Sequence, residues 1–483
     1  MDNPIEEAKS PDDAELQQKE IPGMFDGPIL KLLVKLALPM FFGMLFQILY
    51  NIVDTIWISR IDLSDPSYVG GVGIVFPIIF LIIAFASGIM VGASSLVARA
   101  IGEKNRFVLN RTAESALFIG IVLAVLFVVF GYLFDERLLH ILGAEGDYFV
   151  HGLEYLQFML PAGVLMIAVH VFAGILMGEG LMKPIMYAMI MGTVTNIILD
   201  PIFIFLLGMG VRGAALATAI SQLVPMAYVF TLFRQKKTIV PIEWKLKNVN
   251  VGIIKQIVAV GFPQSIGLIS MSISFLFFNR LLMSIDPLAL TAFSICGRFD
   301  YILIVPILAI GSTMLTMIGQ NFGRKQYSRM LDIWKVGLFA MVVVMLFLAT
   351  LLVMFAPKIY PFFSTVDEVV RYAVLQTRII EYSFIFGGIA MLARSSFQAI
   401  GRAIPGLILT VIRVIGVALP MAYLLVYILD MGVYGVWLGV IAGNVIAGVL
   451  ALIWAQRTFR AYVVKQEPGI ATPAGLEQDL AVE

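Results

Sequence analysis

The chain has 483 residues, of which 60% are hydrophobic and only 13% charged, with a mean hydropathy of +0.95. Proteins that live in water carry nearer a quarter charged residues, so soluble enzymes and binding modules are excluded and the natural solvent is a bilayer. The 33 Lys and Arg against 32 Asp and Glu leave no basic field that would recruit nucleic acid.

Residues 1–28 begin with an acidic stretch poor in apolar residues, the opposite of a cleavable signal peptide, and are expected to form a disordered cytoplasmic tail. Twelve apolar windows of about nineteen residues follow, punctuated by charge, Gly or Pro, and each reads as a transmembrane helix. They begin near Leu30, Val69, Thr112, Val150, Pro184, Gly213, Ile253, Pro287, Val336, Tyr372, Pro405 and Val433. Residues 119–130 are apolar on every face, which argues against the alternation of a membrane barrel. The expected fold class is all-α and polytopic, with twelve transmembrane helices in two pseudo-symmetric six-helix lobes. The N-terminal lobe is placed at 29–233, a cytoplasmic linker at 234–252, the C-terminal lobe at 253–460 and a polar cytoplasmic tail at 461–483.

Lys and Arg gather in the gaps after spans two, four, six, eight and ten, for example Lys104, Arg106 and Arg111, and Arg324, Lys325, Arg329 and Lys335. The positive-inside rule then puts both termini in the cytoplasm of a multi-pass plasma (inner) membrane protein. The halves flanking the linker match at an offset of about 221 to 224 residues, the mark of a two-repeat transporter. Lys31, Pro39 and Gly43 align with Lys255, Pro263 and Gly267; Gly102 and Lys104 align with Gly323 and Lys325; Gly180 and Pro184 align with Gly401 and Pro405; Met209 and Gly213 align with Met431 and Gly435. Six spans per repeat is an even number, so the repeats are parallel.

Ionisable groups at membrane depth are costly and usually functional. Asp54 lies in span one, with Tyr50 and Asn51 four and three residues before it, spacings that bring all three to one side of a helix. Asp200 lies in span five, with Asn196 one turn earlier. A carboxyl in an apolar cavity can exchange a proton near neutral pH. The same oxygens of Asp54, Asn196 and Asp200, joined by Thr218, could equally hold Na⁺, and spacing does not separate the two. Pro39 and Pro201 each release a helical carbonyl, those of Lys35 and Ile197, so both are candidate hinges. In the second half, Arg298 stands inside span eight and either contacts the C-lobe cavity or snorkels, while Asp300, two residues on, faces elsewhere. His170 has no ligand-type neighbours and reads as packing, and the lone Cys296 as a small buried hydrophobe. No Walker loop, His-Glu-x-x-His or nucleophile elbow occurs, so no enzyme activity, cofactor or bound metal is expected, and any pumping draws on an ion gradient.

Twelve spans in two lobes, the proline and then Tyr50-Asn51-Ile52-Val53-Asp54 of span one, the Asn196/Asp200 pair and the Gly180/Pro184 and Gly401/Pro405 turns resemble a multidrug and toxic compound extrusion (MATE) transporter, closest to the DinF-like branch. The resemblance implies that Asp54 is the proton-responsive residue, that Tyr50, Asn196, Asp200 and Thr218 form its hydrogen-bonded cluster, and that span one bends at Pro39. It departs from the NorM-like branch, whose span-ten aspartate is absent here; Glu381 alone stands near the start of that span, which weighs against a second-lobe Na⁺ site. The implied function is xenobiotic efflux of amphipathic, often cationic organic compounds by a monomeric antiporter, in exchange for H⁺ or alternatively Na⁺. A related lipid-linked saccharide flippase is the rival, but it calls for several basic cavity residues where Arg298 alone is evident.

Overall fold

A computed structural model describes residues 19–243 and 245–466. The N-terminal lobe comprises α1 (Ile29–Ser59), α2 (Ser67–Gly102), α3 (Arg106–Ile141), α4 (Gly146–Glu179), α5 (Met182–Pro201) and α6 (Gly210–Arg234). The C-terminal lobe comprises α7 (Val251–Ile285), α8 (Pro287–Gly323), α9 (Tyr327–Ile359), α10 (Asp367–Ile380), α11 (Phe384–Ala399), α12 (Ala403–Val411), α13 (Leu419–Tyr427) and α14 (Gly432–Gln466). Eleven helical segments among the described residues are long and apolar enough to span a bilayer. The remaining crossing, span ten, is α10 and α11 joined by a 3₁₀ turn at Glu381–Ser383. Many helices run well past twenty residues, because their charged ends continue beyond the apolar windows: α9 starts at Tyr327, not near Val336.

Span five ends in a π segment at Ile202–Leu206, directly after Pro201, where the missing amide forces the hydrogen-bond ladder to re-register. Span eleven carries a longer one, Ile412–Ala418, between α12 and α13. The repeat is written into the backbone. Gly180 and Gly401 end α4 and α11 with φ of +84° and +83°, a left-handed cap that glycine adopts without steric cost. Lys104 and Lys325 hold matched positive φ values of 55° and 59°.

Within the lobes α1 packs on α5 and α2 on α4; across them, α2 packs on α7 and α8. The seam between lobes is reciprocal. Ser95 Oγ donates to the Gln398 carbonyl at 2.5 Å and Thr316 Oγ1 to the Met177 carbonyl at 2.5 Å, and these are equivalent residues of the two repeats. Gln320 Nε2 adds a bond to the Gly178 carbonyl at 2.9 Å. All three lie at the end of the molecule that carries the basic gaps. An added Cβ on Gly102 would strike the Gln320 carbonyl, and one on Gly323 the Arg99 carbonyl, so closeness at this end requires glycine on both sides.

Two expectations about the flanks are corrected. Residues 19–28 are not a disordered tail: Met24 is fully buried, and Arg329 donates to the carbonyls of Gly23, Met24 and Gly27. Acidic residues dominated the composition and hid the apolar Ile21, Met24 and Phe25 behind them. At the other end, residues 461–466 continue α14. The rest of both expected tails lies outside the described residues. The linker is held by buried acids that sequence spacing did not single out. The Glu179 carboxylate accepts the amides of Ile239 and Val240 at 2.9 and 2.8 Å, and Glu114 accepts that of Glu243 at 2.7 Å.

Candidate functional site

The polar residues of the first lobe converge where α1, α5 and α6 meet. Asp200 and Asn196, four apart on α5, are both fully buried, and Thr218 of α6 is 2% exposed. Asn196 Nδ2 donates to Asp200 Oδ1 at 3.0 Å and reaches Thr218 Oγ1 at 3.4 Å. The Tyr50 hydroxyl of α1 meets Thr218 Oγ1 at 3.2 Å, and Thr193 Oγ1 donates to the Phe46 carbonyl at 3.3 Å, pinning α1 to α5. The half-buried Asp54 brings its carboxyl within hydrogen-bonding reach of the Asp200 carboxyl. Asp54 Oδ1, Asp200 Oδ2 and Asn196 Oδ1 are buried without a protein partner. Tyr155 of α4, 4% exposed, stands close to Tyr50, Asp54 and Asp200. Sequence reasoning missed it because nothing local to it marks it as polar.

Asn51 does not join. It is exposed, and only its carbonyl is engaged, by Thr55 Oγ1 at 2.8 Å. On a helix, Tyr50 and Asn51 flank Asp54 on opposite sides, and the cluster occupies the Tyr50 side. Pro39 is buried inside α1, which continues unbroken through it.

The second lobe holds more polar groups than its sequence suggested. Arg298 is exposed, with no hydrogen bond or ion pair among the described residues. Its neighbour Asp300 brings its carboxyl within hydrogen-bonding reach of Glu381, which is 1% exposed and sits in the break between α10 and α11. Asp300 Oδ1 and Glu381 Oε2 are also buried without a partner. Beside this pair the Tyr360 hydroxyl contacts Thr377 Oγ1 at 2.6 Å, and Cys296 Sγ lies 3.9 Å from the same oxygen. The second lobe therefore also brings two acids together. Asp300 and Glu381 come from spans eight and ten, so no i, i+4 signature announced them. Arg394 and Arg413, in the C-lobe interior, are basic groups that the sequence reading left out. His170 Nδ1 is satisfied by the Met166 carbonyl at 2.7 Å, in keeping with packing. An apolar cleft of about 290 Å³, lined by Phe85, Phe118, Ile257 and Phe262 among others, opens between α2, α3 and α7 and contains neither carboxyl pair.

A sequence model of the MatE family matches residues 39–202 and 263–424, one stretch in each lobe. The chain belongs to the MatE family. Among relatives, a "Probable multidrug resistance protein NorM" of Thermotoga maritima is 26% identical over 449 residues, covering 91% of this chain and 94% of that protein. The MATE transporter ClbM, solved in complex with Rb⁺, is 34% identical with a TM-score of 0.82, over 91% of this chain and 98% of ClbM. MATE structures solved in bent and straight conformations are 29% identical, with TM-scores of 0.87 and 0.86, each covering 92% of this chain and 99% of the other. This MatE chain is thus a multi-pass membrane transporter of the multidrug-efflux type and not an enzyme.

Proposed function

We propose that the protein exports amphipathic organic compounds in exchange for H⁺ and that the coupling proton is held between Asp54 and Asp200. The observation that carries this is the juxtaposition of two carboxyls from different helices, each with an oxygen that no protein group satisfies. Two carboxyls at hydrogen-bonding distance hold one proton between them far more readily than two negative charges. Loading or removing that proton exchanges a donor for an acceptor at the α1–α5 contact. Asn196 Nδ2, already shared between Asp200 and Thr218, and the Tyr50 hydroxyl on Thr218 then re-pair, so the register of α1 against α5 and α6 is the element that responds. Pro39 leaves the Lys35 carbonyl without its helical partner, and this makes α1 the compliant member of the three.

With the basic gaps read as cytoplasmic, the reciprocal seam lies at the cytoplasmic end, and in this proposal protons reach the cluster from outside. Arrival of a proton at Asp54 and Asp200 would then weaken the retention of cargo and release it outward.

A second reading, coupling to Na⁺ through the oxygens of Asp54, Asn196, Asp200 and Thr218, draws support from the monovalent ion in the ClbM complex. One experiment separates the two. Proteoliposomes loaded with a fluorescent organic cation are given a pH gradient alone or a Na⁺ gradient alone. Efflux under the pH gradient only is the expected result; efflux under the Na⁺ gradient only replaces the proton with sodium.

A further inference from the structure

The C-lobe interior contains two guanidinium groups that none of the described residues neutralises. Arg394 of α11 is 7% exposed and its Nε is buried without a hydrogen-bond partner. Arg413, in the π segment of span eleven, is half-buried. Among the described residues neither makes a hydrogen bond or an ion pair, and the two stand near enough to repel one another. Of the acids inside this lobe, Asp300 and Glu381 face each other, and the uncharged Asn444 gives its Nδ2 to Ser383 Oγ at 3.0 Å.

The backbone around them is cut back to admit them. The Arg394 stem passes Gly406, where an added Cβ would lie 2.6 Å from its Cγ. Arg394 Nη1 is 3.7 Å from the position of a Cβ on Gly267 of α7, and Arg413 Nη1 is 3.2 Å from that of a Cβ on Gly387 of α11. Glycines from three helices, Gly267, Gly387 and Gly406, thus leave room beside the guanidinium pair, shared with Thr410 at Gly267 and with Asn444 Oδ1 at Gly387. The polar rim is made by Gln264 and Gln398, bonded at 2.8 Å, and by Thr410. An arginine at bilayer depth is costly, and two like charges side by side cost more. A pair kept in that state, beside three glycines, is suited to an anion as its counterpart, and guanidinium forks match the oxygens of carboxylate and phosphate.

We propose that Arg394 and Arg413 form a receptor for the oxyanion head group, phosphate or carboxylate, of an amphipathic cargo molecule. The inference rests on the reading of the protein as an exporter of amphipathic compounds and adds a class of cargo to it. The anion lies between the two guanidiniums, within the space that Gly267 and Gly387 leave, and its apolar part extends from the lobe toward the central passage.

The test is calorimetric titration of the full-length protein in a non-ionic detergent with phenyl phosphate, benzoate, phenyltrimethylammonium and inorganic phosphate. Phenyl phosphate is expected to bind, and Arg394→Gln or Arg413→Gln to weaken it at least about tenfold, with Arg413→Lys intermediate because it keeps charge but not the fork. The affinity for phenyltrimethylammonium should change less than about twofold in the same proteins, which separates a lost anion contact from a damaged fold. No heat with phenyl phosphate on the unaltered protein overturns the proposal whatever the variants do. So do unchanged phenyl phosphate affinity in both Gln variants and parallel loss of the cation. Inorganic phosphate binding as tightly as phenyl phosphate refutes the assignment to cargo and leaves a free-anion site. Ion coupling is read separately by the gradient-driven efflux assay, so a protein that fails to couple to H⁺ but binds phenyl phosphate through the arginines sinks the coupling reading and not this one.

Discussion

The two lobes share a backbone and divide their chemistry. Positions equivalent to Asp54 and Asp200 in the second repeat are occupied by Phe278 and Ala422, and those equivalent to Arg394 and Arg413 in the first by Ala173 and Gly192. Caps, left-handed lysines and seam hydrogen bonds recur in both repeats because they hold helices in place. The buried acids and arginines do not recur, because a buried charge is kept where it acts and is costly elsewhere. The first lobe offers acids with hydrogen-bond donors around them; the second offers a separate acid pair and an unneutralised basic pair. Symmetry therefore describes how the molecule is built, and its departures from symmetry show where it works.

The sharpest way to break this comparison is at Asp54. Asparagine keeps the shape of the side chain but cannot exchange a proton, so Asp54→Asn is expected to lower pH-driven efflux by about 100-fold or more while the melting temperature stays near that of the parent. The loop acids Asp62 and Asp65 do not confuse the reading near neutral pH. Hydrogen bonds from Ser64 and Ser67 hold their carboxyls below the usual range, so both remain charged throughout. Efflux at the parental rate by a folded Asp54→Asn protein would remove the first lobe from the coupling reaction.

A smaller effect is expected in the second lobe. Glu381→Gln should reduce the same efflux less than about tenfold, since its partner Asp300 can still take up a proton and the α1 contact is untouched. A loss as large as that of Asp54→Asn would mean that both lobes couple. Next comes Asn196→Ala, which deprives Asp200 of its donor and leaves buried oxygen unsatisfied, a cost of about 1–3 kcal/mol. It is expected to lower both thermal stability and turnover, and by more than Gln264→Ala does in the other lobe; the reverse ranking in matched proteoliposome assays would count against the first-lobe site.

The mildest expected change is at Pro39. Pro39→Ala restores the amide that Lys35 lacks and should slow turnover severalfold while leaving cargo affinity nearly unchanged. Affinity and rate measured on the same purified variant decide this, and unchanged turnover identifies a passive proline.

Much of this organisation is readable in the amino-acid order. Membrane helices announce themselves by length and apolarity, and the repeat by the recurrence of Gly180/Pro184 as Gly401/Pro405, because turn chemistry leaves few substitutes. Asn196 and Asp200 were visible for the same local reason, four residues apart on one helix. Groups assembled from distant spans were not. Asp300 and Glu381, Arg394 and Arg413, and Tyr155 each look ordinary among their sequence neighbours and become neighbours only when lobes close around them. Asn51 failed the other way: nearness in sequence placed it beside Asp54, and the angle of the helix turned it aside. The packed residues 19–28 were hidden by composition, since a few buried apolar side chains count for little in an acidic average but decide whether a strand of chain stays attached.

The reciprocal seam has a kinetic corollary. Ser95 and Thr316 hold each other's lobes through bonds of equal length and equivalent surroundings, so a rotation about the pseudo-twofold axis stretches both at the same moment. The barrier to separating the lobes at this end then includes two matched contacts of about 1 kcal/mol each beside the Gln320–Gly178 bond, and a change to either hydroxyl shifts the equilibrium by its own share.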